Sequence, residues 1–156
     1  MKDSPRKLWI LGAGRFGSMA AQRLGKKFPE ASFTIVDNRE DKLEKFKKEP
    51  GFTVLEENAL SFLSKAALSS EVWIVPAVPV HVAFEWFCAR LGQMGRVERL
   101  KVPQAVDSQV PNPYRVPSGT VYASFATFLC PDNCSEPENI CTSTGKPRPG
   151  NVAKLA

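Results

Sequence analysis

The chain has 156 residues, of which 43% are hydrophobic and 24% are charged, with a formal net charge of +5 at pH 7. This composition is that of a folded globular protein and excludes a disordered chain. The length fits one domain with a sizeable core. Basic and acidic residues are mixed, most densely in residues 38–50. The charge therefore indicates a solvated helix face, and we expect no nucleic-acid partner.

The compartment is predicted from the apolar runs and the cysteines. No run approaches the roughly 20 consecutive apolar residues of a membrane span. The positive and then apolar start is too short for a signal peptide and is interrupted by Arg15. We therefore expect a cytoplasmic protein with no membrane span. In that compartment its four cysteines are more typical of thiols, redox groups or metal ligands than of structural disulfides.

Strand and helix patterns alternate in the first part of the chain. Short apolar runs predict buried strands at residues 7–11, 32–37, 52–56 and 71–75. Apolar residues at helical spacing predict helices at 16–24, 41–48, 59–68 and 80–91. Asn58 is placed to cap the third of these helices. The alternation predicts the α/β class, with a doubly wound, Rossmann-like parallel sheet.

After residue 91 the pattern is weaker. One strand-like piece is present around 99–102, and the alternating run 120–130 predicts a strand at or near the sheet edge. Residues 131–156 are rich in Pro, Gly, Ser and Asn and show no periodic element. We therefore predict a dinucleotide-binding domain over residues 1–129 and an irregular Cys/Pro-rich tail over residues 130–156.

The string "GAGRFG" matches the dinucleotide-binding pattern G-x-G-x-x-G with Gly12, Gly14 and Gly17. As a bare pattern it is weak evidence, but it follows an apolar strand and opens an amphipathic helix. Asp37 then ends the second strand, at the distance typical of a ribose-binding acid. The first glycine allows the tight turn, the second allows close approach of a pyrophosphate, and the third allows close helix packing. The pyrophosphate would face the helix N-terminus.

The predicted cofactor-binding residues lie in this turn and after the second and fourth strands: Gly12, Ala13, Gly14, Arg15, Phe16, Gly17, Asp37, Asn38, Arg39, Pro76 and Ala77. A carboxylate at Asp37 favours NAD, because it accepts bonds from ribose hydroxyls and repels a 2′-phosphate. Arg39 leaves NADP open as the less favoured cofactor. The alternatives are an empty glycine turn and an S-adenosylmethionine site. The latter usually has an acid on the first strand, which residues 7–11 lack.

The segments "WILGAGRFGSMAAQRL" and "FTIVDNREDKLEKF" resemble the N-terminal half of RCK or Trk-N nucleotide-binding domains, which are ligand-sensing modules of potassium channels and transporters. The resemblance rests on Gly12, Gly14, Arg15, Gly17 and Asp37. It implies a Rossmann fold in which Arg15 contacts the phosphates and Asp37 binds the ribose. The chain departs from the family at 57–58, where Glu-Asn stands in place of Gly-Asp. We therefore identify a general NAD(P)-binding Rossmann protein and keep the channel-sensor role as one option.

Three cysteines of the tail, Cys130, Cys134 and Cys141, form a C-x3-C-x6-C pattern. Three close thiolates can ligate zinc or an iron–sulfur cluster, with a fourth ligand from Cys88, solvent or another chain. The spacing matches neither zinc ribbons nor ferredoxins. A metal site, a redox disulfide and three inert thiols therefore remain alternatives. Cys88, in a predicted helix, is more typical of a buried small residue.

His81 is the single histidine, and although it follows the fourth strand, a residue at a helix start with no chemical role is the simpler interpretation. No catalytic residue is assigned.

Too few residues follow the four strand–helix units for a conventional substrate domain. The leading hypothesis is thus an NAD(H)-binding sensor or accessory subunit, as a homodimer or in a larger redox or transport complex, with a metal or redox site in the tail. The alternatives are a compact NAD(P)-dependent oxidoreductase, with its pocket at 75–81 and 107–119, and a metal-binding interaction module.

Overall fold

The computed structural model describes residues 4–135 and 137–150. Contacts divide the chain into two compact units, Met1–Val97 and Glu98–Ala156. The domain boundary predicted between residues 129 and 130 lies inside the second unit and stays a prediction.

Strands and helices alternate in the first unit. The strands are β1 (Lys7–Leu11), β2 (Ser32–Asp37), β3 (Phe52–Glu56) and β4 (Val72–Pro76). The helices are α1 (Arg15–Lys27), α2 (Glu40–Leu43), α3 (Ala59–Lys65) and α4 (Val82–Gly92). A 3₁₀ turn at Glu44–Phe46 follows α2, so the single helix predicted at 41–48 is in fact a short helix and a turn.

The four strands form one parallel sheet in the order β3-β2-β1-β4. In this register Lys7 of β1 stands opposite Ser32 of β2 and Val72 of β4. The carboxyl ends of β1, β2 and β4 consequently lie at the same edge of the sheet. The chain segments that follow those strands meet there.

Both faces of the sheet are covered by helices. Ile10 packs in a cluster with Ala21 of α1 and Leu43 of α2. Its neighbour Leu11 packs in the other cluster, with Leu63 of α3. Successive residues of a strand point to opposite faces, so β1 contributes to both clusters. The predicted α/β class with a doubly wound sheet is confirmed.

The second unit has little regular structure in its described part. A 3₁₀ helix covers Gln104–Gln109, and the strands β5 (Tyr114–Arg115) and β6 (Val121–Tyr122) pair antiparallel in a separate two-stranded sheet. An isolated bridge joins Ile140 and Pro147.

Two strand predictions for this unit were wrong. Residues 99–102 form no strand. The strand predicted at 120–130 ends at Tyr122, and it pairs with β5 instead of with a strand of the parallel sheet. Beyond Tyr122 the backbone makes single bonds outside any strand: the Ser124 N–H donates to the Pro111 carbonyl at 3.1 Å, and the Ala126 N–H donates to Ser124 Oγ at 3.1 Å. The second is a local side-chain bond of the kind that competes with a strand ladder, which alternation alone does not reveal.

Candidate functional site

The glycine turn lies where the chain changes direction along the sheet. From β1 the strands proceed to β2 and β3 on one side, and the chain then returns to β4 on the other. In open parallel sheets, ligands bind outside the carboxyl ends of the strands at this switch point. Residues 12–17 follow β1 directly at that position.

Gly12 and Gly17 are required by the fold itself. Gly12 has a φ of +102°, and a Cβ there would stand 2.7 Å from the Ala77 carbonyl oxygen. A Cβ on Gly17 would stand 1.8 Å from the Gly12 carbonyl oxygen. The first glycine therefore allows the turn and the third allows α1 to begin close to β1, as predicted.

Gly14 differs from these two glycines. A Cβ built on it would meet no atom of the described chain within 4 Å, so the fold does not require glycine there. Gly14 is the N-cap of α1. All residues of α1 are described, and the first turn of this helix carries no acidic side chain. The open space beside Gly14 thus adjoins helix N–H groups that bind anions.

Asp37 is the buried acid of the site, with 7% of its surface exposed. Its Oδ2 accepts a bond from the Ala13 N–H at 2.7 Å, and its Oδ1 accepts one from the Arg39 N–H at 3.0 Å. A carboxylate has about four acceptor positions, so it retains acceptor capacity for ribose hydroxyls. Sequence reasoning missed that Asp37 also fixes the glycine turn, and that the Ala13 N–H is already engaged.

A cavity of about 220 Å³ lies next to Asp37. The end of β2 and the segments after β3 and β4 line it: Val36, Asp37 and Asn38; Asn58, Ala59 and Leu60; Val78, Pro79 and Val80. Its walls are mainly apolar, with amide side chains at Asn38 and Asn58. This composition suits a flat heterocycle with polar edges. Of these residues, the sequence predicted only Asp37 and Asn38 to bind the cofactor. It gave Asn58 as a helix cap and placed 78–80 in the pocket of the oxidoreductase alternative; the signal that they line this cavity was their position directly after β3 and β4.

The Arg39 side chain is paired with the carboxylate of Asp41. Its guanidinium donates to Asp41 through Nε at 3.0 Å and Nη2 at 2.6 Å. These hydrogen bonds hold the pKa of the Asp41 carboxyl below its usual range and raise the pKa of Arg39. An arginine paired in this way is less available to a 2′-phosphate.

The other predicted cofactor-binding residues surround the turn. Arg15 and Phe16 are exposed in the first turn of α1. Pro76 ends β4 opposite Leu11, and the Ala77 N–H donates to the Leu11 carbonyl at 2.8 Å. The structure therefore places the predicted residues at one edge of the sheet. Their contacts with a cofactor stay predictions.

His81 immediately precedes α4 and is exposed, outside the residues that line the cavity. The Glu85 N–H donates to the His81 carbonyl at 2.9 Å, an ordinary helix bond. This bond belongs to the backbone of α4, which begins directly after His81.

The tail cysteines lie in the second unit. Cys130, Cys134 and Cys141 all line one cavity of about 130 Å³. None of these three cysteines, nor Cys88 in α4, is in a disulfide. Across residues 4–135 and 137–150, no three His, Cys, Asp or Glu side chains form a group that could hold a metal ion. Metal ligation by the three cysteines therefore stays a prediction.

The parallel sheet, the glycine turn and the acid at the end of β2 define a Rossmann-like nucleotide-binding domain. Comparison with protein families agrees, because the TrkA-N domain family matches residues 8–93. The chain belongs to the TrkA-N family. The predicted resemblance to RCK or Trk-N domains, and the NAD(P)-binding Rossmann assignment, are confirmed.

A second family, described as "Uncharacterized protein, C-terminal domain", matches residues 83–155. Its description names no activity. Comparisons with curated proteins and with solved structures gave no match. Among the described helices, none combines the length and apolar character needed to cross a membrane.

Proposed function

We propose that this chain is an NAD(H)-binding regulatory protein, acting as a nucleotide sensor or accessory subunit. The observation that carries the proposal is the open space at Gly14, which lies beside helix N–H groups and directly after Ala13, whose N–H donates to the buried Asp37 carboxylate. Membership of the TrkA-N family supports a nucleotide-binding regulatory domain.

Different residues of the site would bind different parts of the cofactor. The diphosphate would bind at the N-terminus of α1, against the N–H groups that follow Gly14 and near the Arg15 side chain. The adenosine ribose would bond to Asp37, and the adenine would enter the cavity between Asn38 and Asn58. NAD supplies hydride chemistry when bound, but no residue here is assigned to a hydride transfer.

NAD is preferred to NADP in this proposal. The Asp37 carboxylate would lie beside the ribose hydroxyls and repel a 2′-phosphate, while Arg39 is paired with Asp41. A cytoplasmic location, and a homodimer or larger redox or transport complex, belong to the same proposal. A compact oxidoreductase and a metal-binding module are the alternatives; turnover with a panel of alcohols or hydroxy acids would favour the former.

Equilibrium binding tests the proposal. Purified chain is titrated with NAD, NADH, NADP, ATP and S-adenosylmethionine. We expect the tightest binding for NAD or NADH and at least tenfold weaker binding in Gly14→Ala, a loss of about 1.4 kcal/mol. Gly92→Ala is the matched control, because a Cβ there also meets open space but at the far end of α4.

The two glycine variants distinguish a blocked site from a damaged fold. Both should unfold at the temperature of the wild type. Equal affinity for NAD in wild type and Gly14→Ala would contradict the proposed site. Preference for S-adenosylmethionine would contradict the proposed cofactor.

A further inference from the structure

Asn58 has two roles in the structure, because it begins α3 and also lines the cavity next to Asp37. Its Oδ1 accepts hydrogen bonds from the Leu60 N–H at 2.9 Å and from the Ser61 N–H at 3.1 Å. An amide oxygen has two lone pairs, and these two N–H groups use both of them. The oxygen end of the Asn58 amide is therefore committed to the helix cap.

The nitrogen end of the same amide is available to a ligand. An amide nitrogen carries two hydrogens and donates both, and within the described chain Nδ2 of Asn58 makes no hydrogen bond. Asn58 is also exposed, so a group that enters the cavity can reach this nitrogen. As long as the cap is intact, Asn58 offers the cavity a donor and no acceptor.

The other polar groups of the cavity do not supply a competing acceptor of fixed direction. Four lining residues already accept a backbone N–H with their carbonyl oxygen: Val36, Asp37, Asn58 and Val78. The Asp37 carboxylate is assigned to the ribose in the proposed function. The Asn38 amide makes no hydrogen bond within the described chain, so it can turn either end to a ligand. Of the two lining amides, only that of Asn58 has a fixed direction.

Purine bases differ in the atoms that such a donor would meet. Adenine presents the acceptor N7 beside an amino group that donates, whereas guanine presents two acceptors, N7 and O6. Hypoxanthine is adenine with the amino group replaced by an oxygen, so it presents the same two acceptors as guanine. The NH2 group of Asn58 can bond to N7 of any of these bases, but against the adenine amino group it would set one donor against another.

We propose that Asn58 determines the base specificity of the site by donating its amide nitrogen to acceptor atoms of a purine, so that dinucleotides of 6-oxopurines bind as well as NAD. This inference rests on the proposed nucleotide-binding function and specifies which edge of the base is recognised. A site that hydrogen-bonds a ligand group rejects an analogue that lacks the group. Because Asn58 presents no acceptor to the adenine amino group, replacing that group by an oxygen costs no affinity.

Equilibrium titration of the purified full chain with NAD and with nicotinamide hypoxanthine dinucleotide tests the proposal. The two ligands differ only at the base, where the second has an oxygen in place of the amino group. We expect the hypoxanthine dinucleotide to bind more tightly than NAD or within about threefold of it. Any weaker binding of the hypoxanthine dinucleotide overturns the inference.

Asn58→Asp should reverse the selection. One carboxylate oxygen can retain the cap, while the other presents an acceptor where the wild type presents a donor. The carboxylate would accept from the adenine amino group and repel the oxygen of hypoxanthine. We therefore expect this variant to bind NAD about tenfold more tightly than the hypoxanthine dinucleotide. The same ratio of the two affinities in Asn58→Asp and in the wild type would show that Asn58 does not select the base.

Asn58→Ser is the matched control for the cap. A serine also caps a helix, but it has no amide to donate to the base. Both dinucleotides should therefore bind about threefold or more weaker, with their ratio unchanged. Urea denaturation of both variants separates a lost ligand contact from a damaged start of α3. Wild-type affinity for both ligands in Asn58→Ser would overturn the contact between Asn58 and the base.

Gly14→Ala separates this inference from the function on which it rests. If neither dinucleotide binds, or if binding is equally tight in Gly14→Ala, the nucleotide site is wrong and the inference is wrong with it. If NAD binding depends on Gly14 but the hypoxanthine dinucleotide fails the comparison with NAD, the nucleotide site stands. In that case only the recognition of the base by Asn58 is wrong.

Discussion

In the first unit, strands and helices pack their hydrophobic residues into two buried clusters on either face of a sheet. In the described part of the second unit every residue is at least partly exposed, and segments are joined by polar contacts. Arg115 is the main example: it donates to Asp107, to the Val102 carbonyl and to the Pro103 carbonyl.

This difference shows which parts of a structure can be recognised from the sequence pattern. Burial produces periodic patterns, whereas a network of individual hydrogen bonds produces none. The units should accordingly respond to different substitutions, and the following experiments compare them.

The largest loss of stability is expected for Gly17→Ala. Its Cβ would be 1.8 Å from the Gly12 carbonyl oxygen, so α1 must move away from the sheet. We expect a loss of about 3 kcal/mol or more in the free energy of unfolding, measured by urea denaturation. Gly14→Ala, with no atom near its Cβ, is the control. Wild-type stability in Gly17→Ala would contradict the close packing of the turn.

Leucine truncation compares the two units directly. Leu11 is fully buried, whereas Leu129 is 98% exposed. We expect Leu11→Ala to cost about 2–5 kcal/mol and Leu129→Ala to change stability by less than about 0.5 kcal/mol. Calorimetric unfolding of both variants measures the contrast. A loss as large as that of Leu11→Ala in Leu129→Ala would contradict the exposed position of Leu129.

A smaller effect is expected at the start of α3. Asn58 Oδ1 accepts from the Leu60 N–H at 2.9 Å and the Ser61 N–H at 3.1 Å. Asn58→Ala removes this cap and should cost about 1 kcal/mol. Asn58→Asp keeps an acceptor and should retain stability in the same urea titration. If Asn58→Ala unfolds at the same urea concentration as Asn58→Asp and the wild type, the cap does not contribute to stability.

The smallest effect is expected at Arg115, and it depends on pH. Arg115 hydrogen bonds hold the pKa of Asp107 below its usual range. This stabilisation is therefore present above about pH 3.9, the pKa of an unfolded Asp, and is lost as pH falls through the lower folded value. In Arg115→Gln, amide exchange near residues 102–107 should be faster at pH 7. Exchange of α1 should be unchanged, and an equal rise in both regions would contradict a local network.

The sequence predicted the first unit well, since β1, β2 and β3 have the predicted bounds and β4 is shifted by one residue. It also indicated the glycine turn and Asp37, because their spacing has a physical cause. It did not indicate the bond between Asp37 and Ala13, or that the segments after β3 and β4 form a cavity together with Asp37, since both follow from segments meeting in space. In the second unit, the alternation at 120–130 suggested a strand where Ser124 and its neighbours bond locally instead.

The central claim is that the backbone beyond β1 binds the diphosphate of NAD, and hydrogen exchange of the full chain with and without NAD tests it most directly. We expect slower exchange at residues 12–20 and 37–39 when NAD is present, no change at residues 98–135, and loss of the effect in Gly14→Asp. Unchanged exchange at residues 12–20 under saturating NAD, or equal protection in Gly14→Asp, would contradict the account.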